Sequence, residues 1–309
     1  MSAGIEVVDL TKRYPGARRP ALDGVTLHIQ PGEAFGLVGP NGAGKTTFLG
    51  CLLGLLRADR GRVRIDGEAP DELSARAKIG YVPERQQLDP WMSGRELLAY
   101  HHELARQPAG TRDEDVRLGL SRVGLDDVAA AARVRRYSRG MLQRLAIAQA
   151  LIGRPRYLFL DEPSSGVDPA GVLLLRQIIA ERVREGTTVI FNSHQLDQIE
   201  RSCRRVAFLK AGKIESLQDL ALTERGQRTI RVRWIAYDTD AAPLGGRSLD
   251  GVALLDHGRD GARFVVSDDA ACAALVAALV AEGRAILAVE GEEGRLEQLF
   301  ASPAGAVTS

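Results

Sequence analysis

Asparagine is almost missing from this sequence, which has only Asn41 and Asn192. An Asn-Lys-x-Asp element for reading guanine therefore cannot be built, and most GTPases are excluded. Net charge is equally scarce, with 41 Lys and Arg against 40 Asp and Glu. That balance lacks the basic surface needed to hold phosphate backbones, so no nucleic-acid partner is expected. The three cysteines, Cys51, Cys203 and Cys272, lie far apart, fit no metal spacing and read as reduced thiols. The opening MSAGIEVVDL has neither the basic segment nor the apolar run of a secretory signal. The longest alanine-rich apolar stretch, residues 270–281, falls short of the roughly 20 residues that span a bilayer. A cytoplasmic protein is expected, one that reaches a membrane only by docking on another chain. No internal repeat and no low-complexity tail is present.

What is present alternates between strand and helix patterns. IEVVDLTKRY and VTLHIQ read as strands flanking turn residues, and the apolar AFGLVG runs into a glycine-rich turn and then FLGCLLGLL. Strand, glycine loop and helix in that order open an α/β domain. GRVRIDG and KIGYVP are two more strand candidates. Helices are expected from 92 to about 153, with Ser93/Glu96 and Thr111/Glu114 as capping boxes. YLFLDEP, TTVIFNSH and RVAFLKAGKI then return to strands, and unbroken apolar runs such as YLFL suit parallel strands buried on both faces. Residues 218–227 read as a polar connector. After it, Ile230, Val232 and Trp234 share one face of a strand, and ALLDH, RFVVS and AILAVE are further strands. A helix near 268–282 places Leu275/Leu279 and Val276/Val280 at helical spacing, and EEGRLEQLF reads as a short closing helix. A domain over 1–222, its helical block at about 92–150, and a small α/β domain over 228–309 are expected.

Gly39, Pro40, Asn41, Gly42, Ala43, Gly44, Lys45 and Thr46 form a P-loop, GxxxxGK[ST], placed between strand and helix as the motif requires. Its backbone N–H groups and the following helix N-terminus suit phosphate oxygens, and Thr47 continues that helix. Lys45 would reach the β- and γ-phosphates, and the Thr46 hydroxyl would be a ligand of Mg²⁺. Asp161, ending the strand YLFL, suits the carboxylate of a Mg²⁺ shell, and Glu162 beside it suits a base that polarises water. An Asp-Glu pair at a strand end is by itself more often a solvated turn; the P-loop changes that reading. His194, after TTVIF, falls on a strand expected beside the P-loop strand, where an imidazole could touch the γ-phosphate; a structural histidine is the plainer alternative.

The order P-loop, YVPE, YSRGMLQR, LDEP, SSGVD and NSH resembles the ATP-binding cassette of ABC transporters over about residues 4–222. The resemblance implies an ABC-type P-loop ATPase core with an N-terminal β-subdomain and an inserted helical subdomain. It also implies ATP bound head-to-tail between one P-loop and the partner's signature loop, in a homodimer or heterodimer. YSRGM stands where the family usually has LSGGQ, with Arg139 and Met141 as departures. Ser138 is a good N-cap residue, and a helix start carries free N–H groups and a positive dipole end, so Ser138 and Gly140 could hold a γ-phosphate from another subunit. By resemblance Tyr14 stacks on adenine and Asp168 is the D-loop aspartate. Glu84 falls where a glutamine is usual; a carboxylate there would meet phosphates only through Mg²⁺ or water. The C-terminal region is similar in position to the accessory domain of exporter-type cassettes, and a generic dimer-stabilising domain is the alternative. A separate transmembrane permease, received by the helical block and the Glu84 loop, is the implied partner. Import, or remodelling of a macromolecular complex without transport, are the rival duties.

Overall fold

Apolar runs with no polar interruption decide the middle of the molecule. The computed structural model describes residues 4–165, 167–193, 195–220, 228–235, 242–246 and 248–291. The chain divides into two units, Met1–Leu220 and Ala221–Ser309.

In the first unit β1 (Ile5–Lys12) and β2 (Leu22–Ile29) pair antiparallel. The pairing slips between Val7 and Leu10, where Asp9 takes a φ of 50°. That bulge is why Ile5, Val7 and Leu10 are the buried set, rather than every second residue. The strand β3 (Ala34–Val38) and helix α1 (Lys45–Leu52) follow, and β4 (Arg60–Ile65) returns to the free side of β1. After the single turn α2 (Leu73–Arg76) comes β5 (Ile79–Val82).

The helical block is α3 (Gly94–Leu104), α4 (Arg112–Arg122), α5 (Asp127–Ala131) and α6 (Arg139–Ile152). The chain then alternates through β6 (Tyr157–Asp161), α7 (Pro169–Arg184), β7 (Thr188–Asn192), α8 (Leu196–Ser202), β8 (Arg205–Lys210) and β9 (Lys213–Asp219). Six strands form one sheet in the order β5-β6-β7-β3-β8-β9, with β9 alone antiparallel. Every residue of β3, β6 and β7 is buried, as expected for parallel strands covered on both faces. Phe35 and Leu37 of β3, Phe48 and Leu52 of α1, and Ile5 and Ile65 of the small sheet share one core. Burying each such side chain contributes about 1.5–3 kcal/mol.

The Ser93/Glu96 capping box forms as expected at the start of α3. The one expected at Thr111/Glu114 does not: Thr111 caps α4 without a side-chain bond. Its hydroxyl donates to Asp115 Oδ2 at 2.6 Å and also lies 3.1 Å from the Pro108 carbonyl. Thr111 has a helical backbone, φ −103° and ψ −4°, rather than the extended one of a capping residue, and its hydroxyl turns to a charged acceptor one turn on. The polar connector also begins later than expected, because Gln218 and Asp219 belong to β9 and pair with Val206 and Arg205.

The second unit has β10 (Arg228–Trp234), β11 (Val252–Gly258), β12 (Gly261–Val266), α9 (Asp269–Ala281) and β13 (Ile286–Gly291). Its strands run antiparallel in the order β11-β12-β10-β13. Ile230, Val232 and Trp234 are buried in one core with Leu275 and Leu279 of α9. Of the two helical pairs only Leu275/Leu279 turns inward; Val280 is 53% exposed. The expected closing helix EEGRLEQLF lies outside the described residues. Among the described residues no helix is long and apolar enough to cross a membrane.

Candidate functional site

The loop between β3 and α1 is shaped by contacts that leave no room for side chains. A Cβ on Gly39 would lie 2.1 Å from the Leu209 carbonyl oxygen, and one on Gly44 would lie 2.3 Å from that of Ala21. Gly44 also takes a φ of 109°, a left-handed value open to glycine at little cost. The Ala43 N–H donates to Pro40 O at 3.1 Å, and the Ala43 carbonyl accepts from Gly212 N at 3.0 Å. The loop is thereby fastened to the turn between β8 and β9. Lys45, 9% exposed, donates to Gly39 O at 2.6 Å and to Pro40 O at 3.2 Å, so its ammonium sits inside the loop. Asn41, Gly42 and Thr46 are exposed, Ala43 and Thr47 buried. The Tyr14 and Thr47 hydroxyls are 3.4 Å apart, and Tyr14 keeps 41% of its surface in solvent beside the start of α1.

Two strands away, β6 ends on Asp161, which is 5% exposed. Burial pushes its carboxyl above the usual range; the Asn192 hydrogen bond opposes this, the Glu162 and Glu84 charges reinforce it, and Lys45 opposes it. Lys45, Glu84, Asp161 and Glu162 therefore share one electrostatic environment. Glu162 turns the chain with a φ of 48°, rare for a residue with a side chain. Such a backbone costs on the order of 1–3 kcal/mol and persists where its surroundings hold it. Here the Glu162 N–H donates to Asn192 O at 2.9 Å, and its carbonyl accepts from Ser165 N at 3.1 Å. Glu84 is exposed on the loop after β5.

Ser138 caps α6, accepting from Met141 N at 3.2 Å. A Cβ on Gly140 would meet only Ser138 Oγ, at 4.0 Å, so this helix start is open. No hydrogen bond joins it to Lys45 or Asp161 among the described residues. Asp168 caps α7 through Gly171 N at 2.8 Å and lies 3.8 Å from the guanidinium of Arg144, in the second turn of α6. His194 lies outside the described residues; the strand before it, β7, does run parallel beside β3 as expected.

The sequence reading passed over two features. Asn192 donates its amide to Asp161 Oδ1 at 2.6 Å. Its one signal was a polar residue closing an otherwise apolar strand. Gln86, two residues past Glu84, donates to Pro83 O, to Glu84 O and to the Gln143 side chain of α6. Those two glutamines are far apart in sequence, and no local pattern announces their pairing.

Among the described residues no group of three or more His, Cys, Asp or Glu is arranged to cage a metal. A divalent cation would need oxygens from a bound phosphate besides Asp161 and Thr46. The donor set fits a hard cation of that kind, since a buried carboxylate and an exposed hydroxyl at a phosphate loop are oxygen ligands.

The family model for "ABC transporter" matches residues 22–165. An uncharacterized ABC transporter ATP-binding protein of Nostoc sp. is 39% identical over 215 residues, covering 69% of this chain and 64% of the relative, so the chain spans less than two thirds of that protein. Nod factor export ATP-binding protein I of Paraburkholderia xenovorans is 37% identical over 214 residues, covering 68% of this chain and 69% of its own length. A dimeric ATP-binding cassette solved in a post-hydrolysis state with ADP and Pi is similar in structure, with a TM-score of 0.63 and 26% identity over 70% of this chain and 98% of that one.

Proposed function

Because this chain belongs to the ABC transporter ATP-binding protein family, we propose that it is an ATP-hydrolysing subunit that energises export through a separate membrane permease. One observation carries the reading: the Lys45 ammonium in its glycine loop and the Asp161–Glu162 pair lie at the same end of the parallel strands β3, β7 and β6, close enough for Lys45 to act on the Asp161 carboxyl. That is the layout phosphoryl transfer requires, where positioning and charge do most of the catalysis.

In this reading the N–H groups of residues 39–47 and Lys45 bind the phosphates, and Tyr14 stacks on the adenine. Thr46 and Asp161 would hold Mg²⁺, which would supply charge neutralisation at the phosphates. Glu162 takes the proton of the attacking water, with His194 assigned to the γ-phosphate by resemblance. Two cassettes close head-to-tail, and the partner's Ser138 and Gly140 complete the phosphate cradle with an open helix start. Asp168 faces the opposite subunit. Glu84, exposed on the loop after β5, would meet the phosphates only through Mg²⁺ or water, and its loop couples to the permease through the Gln86–Gln143 link to α6. The name of the Nod factor relative supports export. The peripheral position on a cytoplasmic membrane face follows from the permease partner. Residues 228–291 serve as an accessory domain.

Glu162→Gln is the direct test. It should bind ATP, fail to turn it over, and accumulate as a nucleotide-bound dimer on size-exclusion chromatography. A variant that stays monomeric and keeps hydrolysing ATP overturns the base assignment.

A further inference from the structure

Asn192 is the last residue of β7, and its register places it between Leu37 of β3 and Asp161 of β6. It sits at the junction of the strand that feeds the P-loop and the strand that ends on the two carboxylates. The position is 1% exposed, and every other residue of the strand is buried. An amide is unfavourable there unless its hydrogen bonds are made. One is: Nδ2 donates to Asp161 Oδ1 at 2.6 Å, while among the described residues Oδ1 of Asn192 is buried without a hydrogen-bond partner. An ionised carboxylate only accepts, so the amide must turn its NH₂ toward Asp161 and its oxygen away from it. The Asn192 main-chain carbonyl meanwhile accepts the Glu162 N–H at 2.9 Å, holding that residue in its left-handed turn.

We propose that Asn192 is a positioning residue for the magnesium–nucleotide site, orienting Asp161 through its side chain and Glu162 through its main chain. The inference rests on the roles given above to those two acids. With Oδ1 tied to the amide, the torsion of the Asp161 carboxylate is fixed, and Oδ2 is the oxygen left to face a cation. A charge-assisted bond of this kind is short and directional, so it holds the carboxylate in one orientation.

The test uses the full chain with Asn192→Leu, which keeps the size and removes the amide, and Asn192→Ala in parallel. Binding of a fluorescent ATP analogue is measured in EDTA, and hydrolysis is titrated with Mg²⁺. Mn²⁺ binding in the presence of ADP, followed by electron paramagnetic resonance, gives a readout independent of turnover. Metal-free nucleotide affinity should stay within about twofold, while half-saturating Mg²⁺ rises by about tenfold or more and Mn²⁺ binding weakens in step, as loss of an outer-shell partner does elsewhere. Half-saturating Mg²⁺ within twofold of the parent, in a variant that binds the analogue, overturns the proposal. Loss of metal-free binding in both variants overturns it too, since Asn192 would then support only the fold of the loop. Asp161→Asn separates the layers. If it leaves half-saturating Mg²⁺ within twofold of the parent, the metal reading itself fails; if it raises that value or ends Mg²⁺-supported turnover while the Asn192 variants leave it within twofold, only the role of Asn192 fails.

Discussion

Asp161 sits where burial works against a charge. Its raised pKa means that the folded chain favours the protonated form. Stability from that preference is full below the unfolded pKa and is lost as pH rises through the folded one. At neutral pH, without metal, the ionised carboxylate therefore works against folding. Asp161→Asn should raise the Tm of the metal-free protein at pH 7 while removing the response of Tm to Mg²⁺ with ATP; an unchanged or lower metal-free Tm by scanning calorimetry contradicts this. The same residue shows what sequence alone can and cannot deliver at this scale. Its place at the end of YLFL was legible, because an acid closing a wholly apolar strand is a sharp signal. Its contact with Asn192 was not, because that depends on which strand lies next to β6, and no local pattern in either strand records it.

The pairing of α3 with α4 turns on one carboxylate. Asp115 accepts from Thr111 Oγ1 at 2.6 Å and Arg154 at 2.9 Å, and lies 3.1 Å from Nε2 of the fully buried His102. The Thr111 hydroxyl foremost, then Arg154 and His102, draw its pKa down to about 2 against the opposing effect of burial. A depressed carboxyl stabilises the fold above its unfolded pKa, and that contribution is lost as pH falls from the model-peptide value of 3.8 through about 2. Asp115→Ala should cost about 1–3 kcal/mol at neutral pH, largely because His102 loses its partner. It should also flatten the acid limb of a stability-against-pH curve from urea melts; a parent-like acid limb contradicts the assignment. The helical block itself was legible, and the Ser93 cap marked its first start. The Thr111 cap was misread because a two-residue motif does not record the helical backbone that Thr111 adopts or the turn of its hydroxyl to Asp115. At the start of α6, Ser138→Arg should leave ATP binding by the monomer intact and lower hydrolysis at least about tenfold. Parent-like turnover would reduce Ser138 to a helix cap, a role whose loss costs about 1 kcal/mol.

At the scale of the whole molecule, β3 takes its ladder partners from β7 and β8 alone. The α/β class and the pairing of β7 with β3 were legible, whereas the place of β6 on the other edge of β7 was not: β7 enters between two strands that both precede it. This insertion makes the site a late product of synthesis. At about 5–20 residues per second, the glycine loop leaves the ribosome many seconds before β7 exists to pair with β3. A chain ending before Thr188 should therefore fail to bind a fluorescent ATP analogue although it contains Lys45, Asp161 and Glu162; measurable binding by that fragment would contradict the dependence. Ligands stabilise only the states that bind them. Cellular ATP therefore cannot rescue a stalled or truncated nascent cassette, and until β7 docks, its survival rests on chaperones and the quality of its own core.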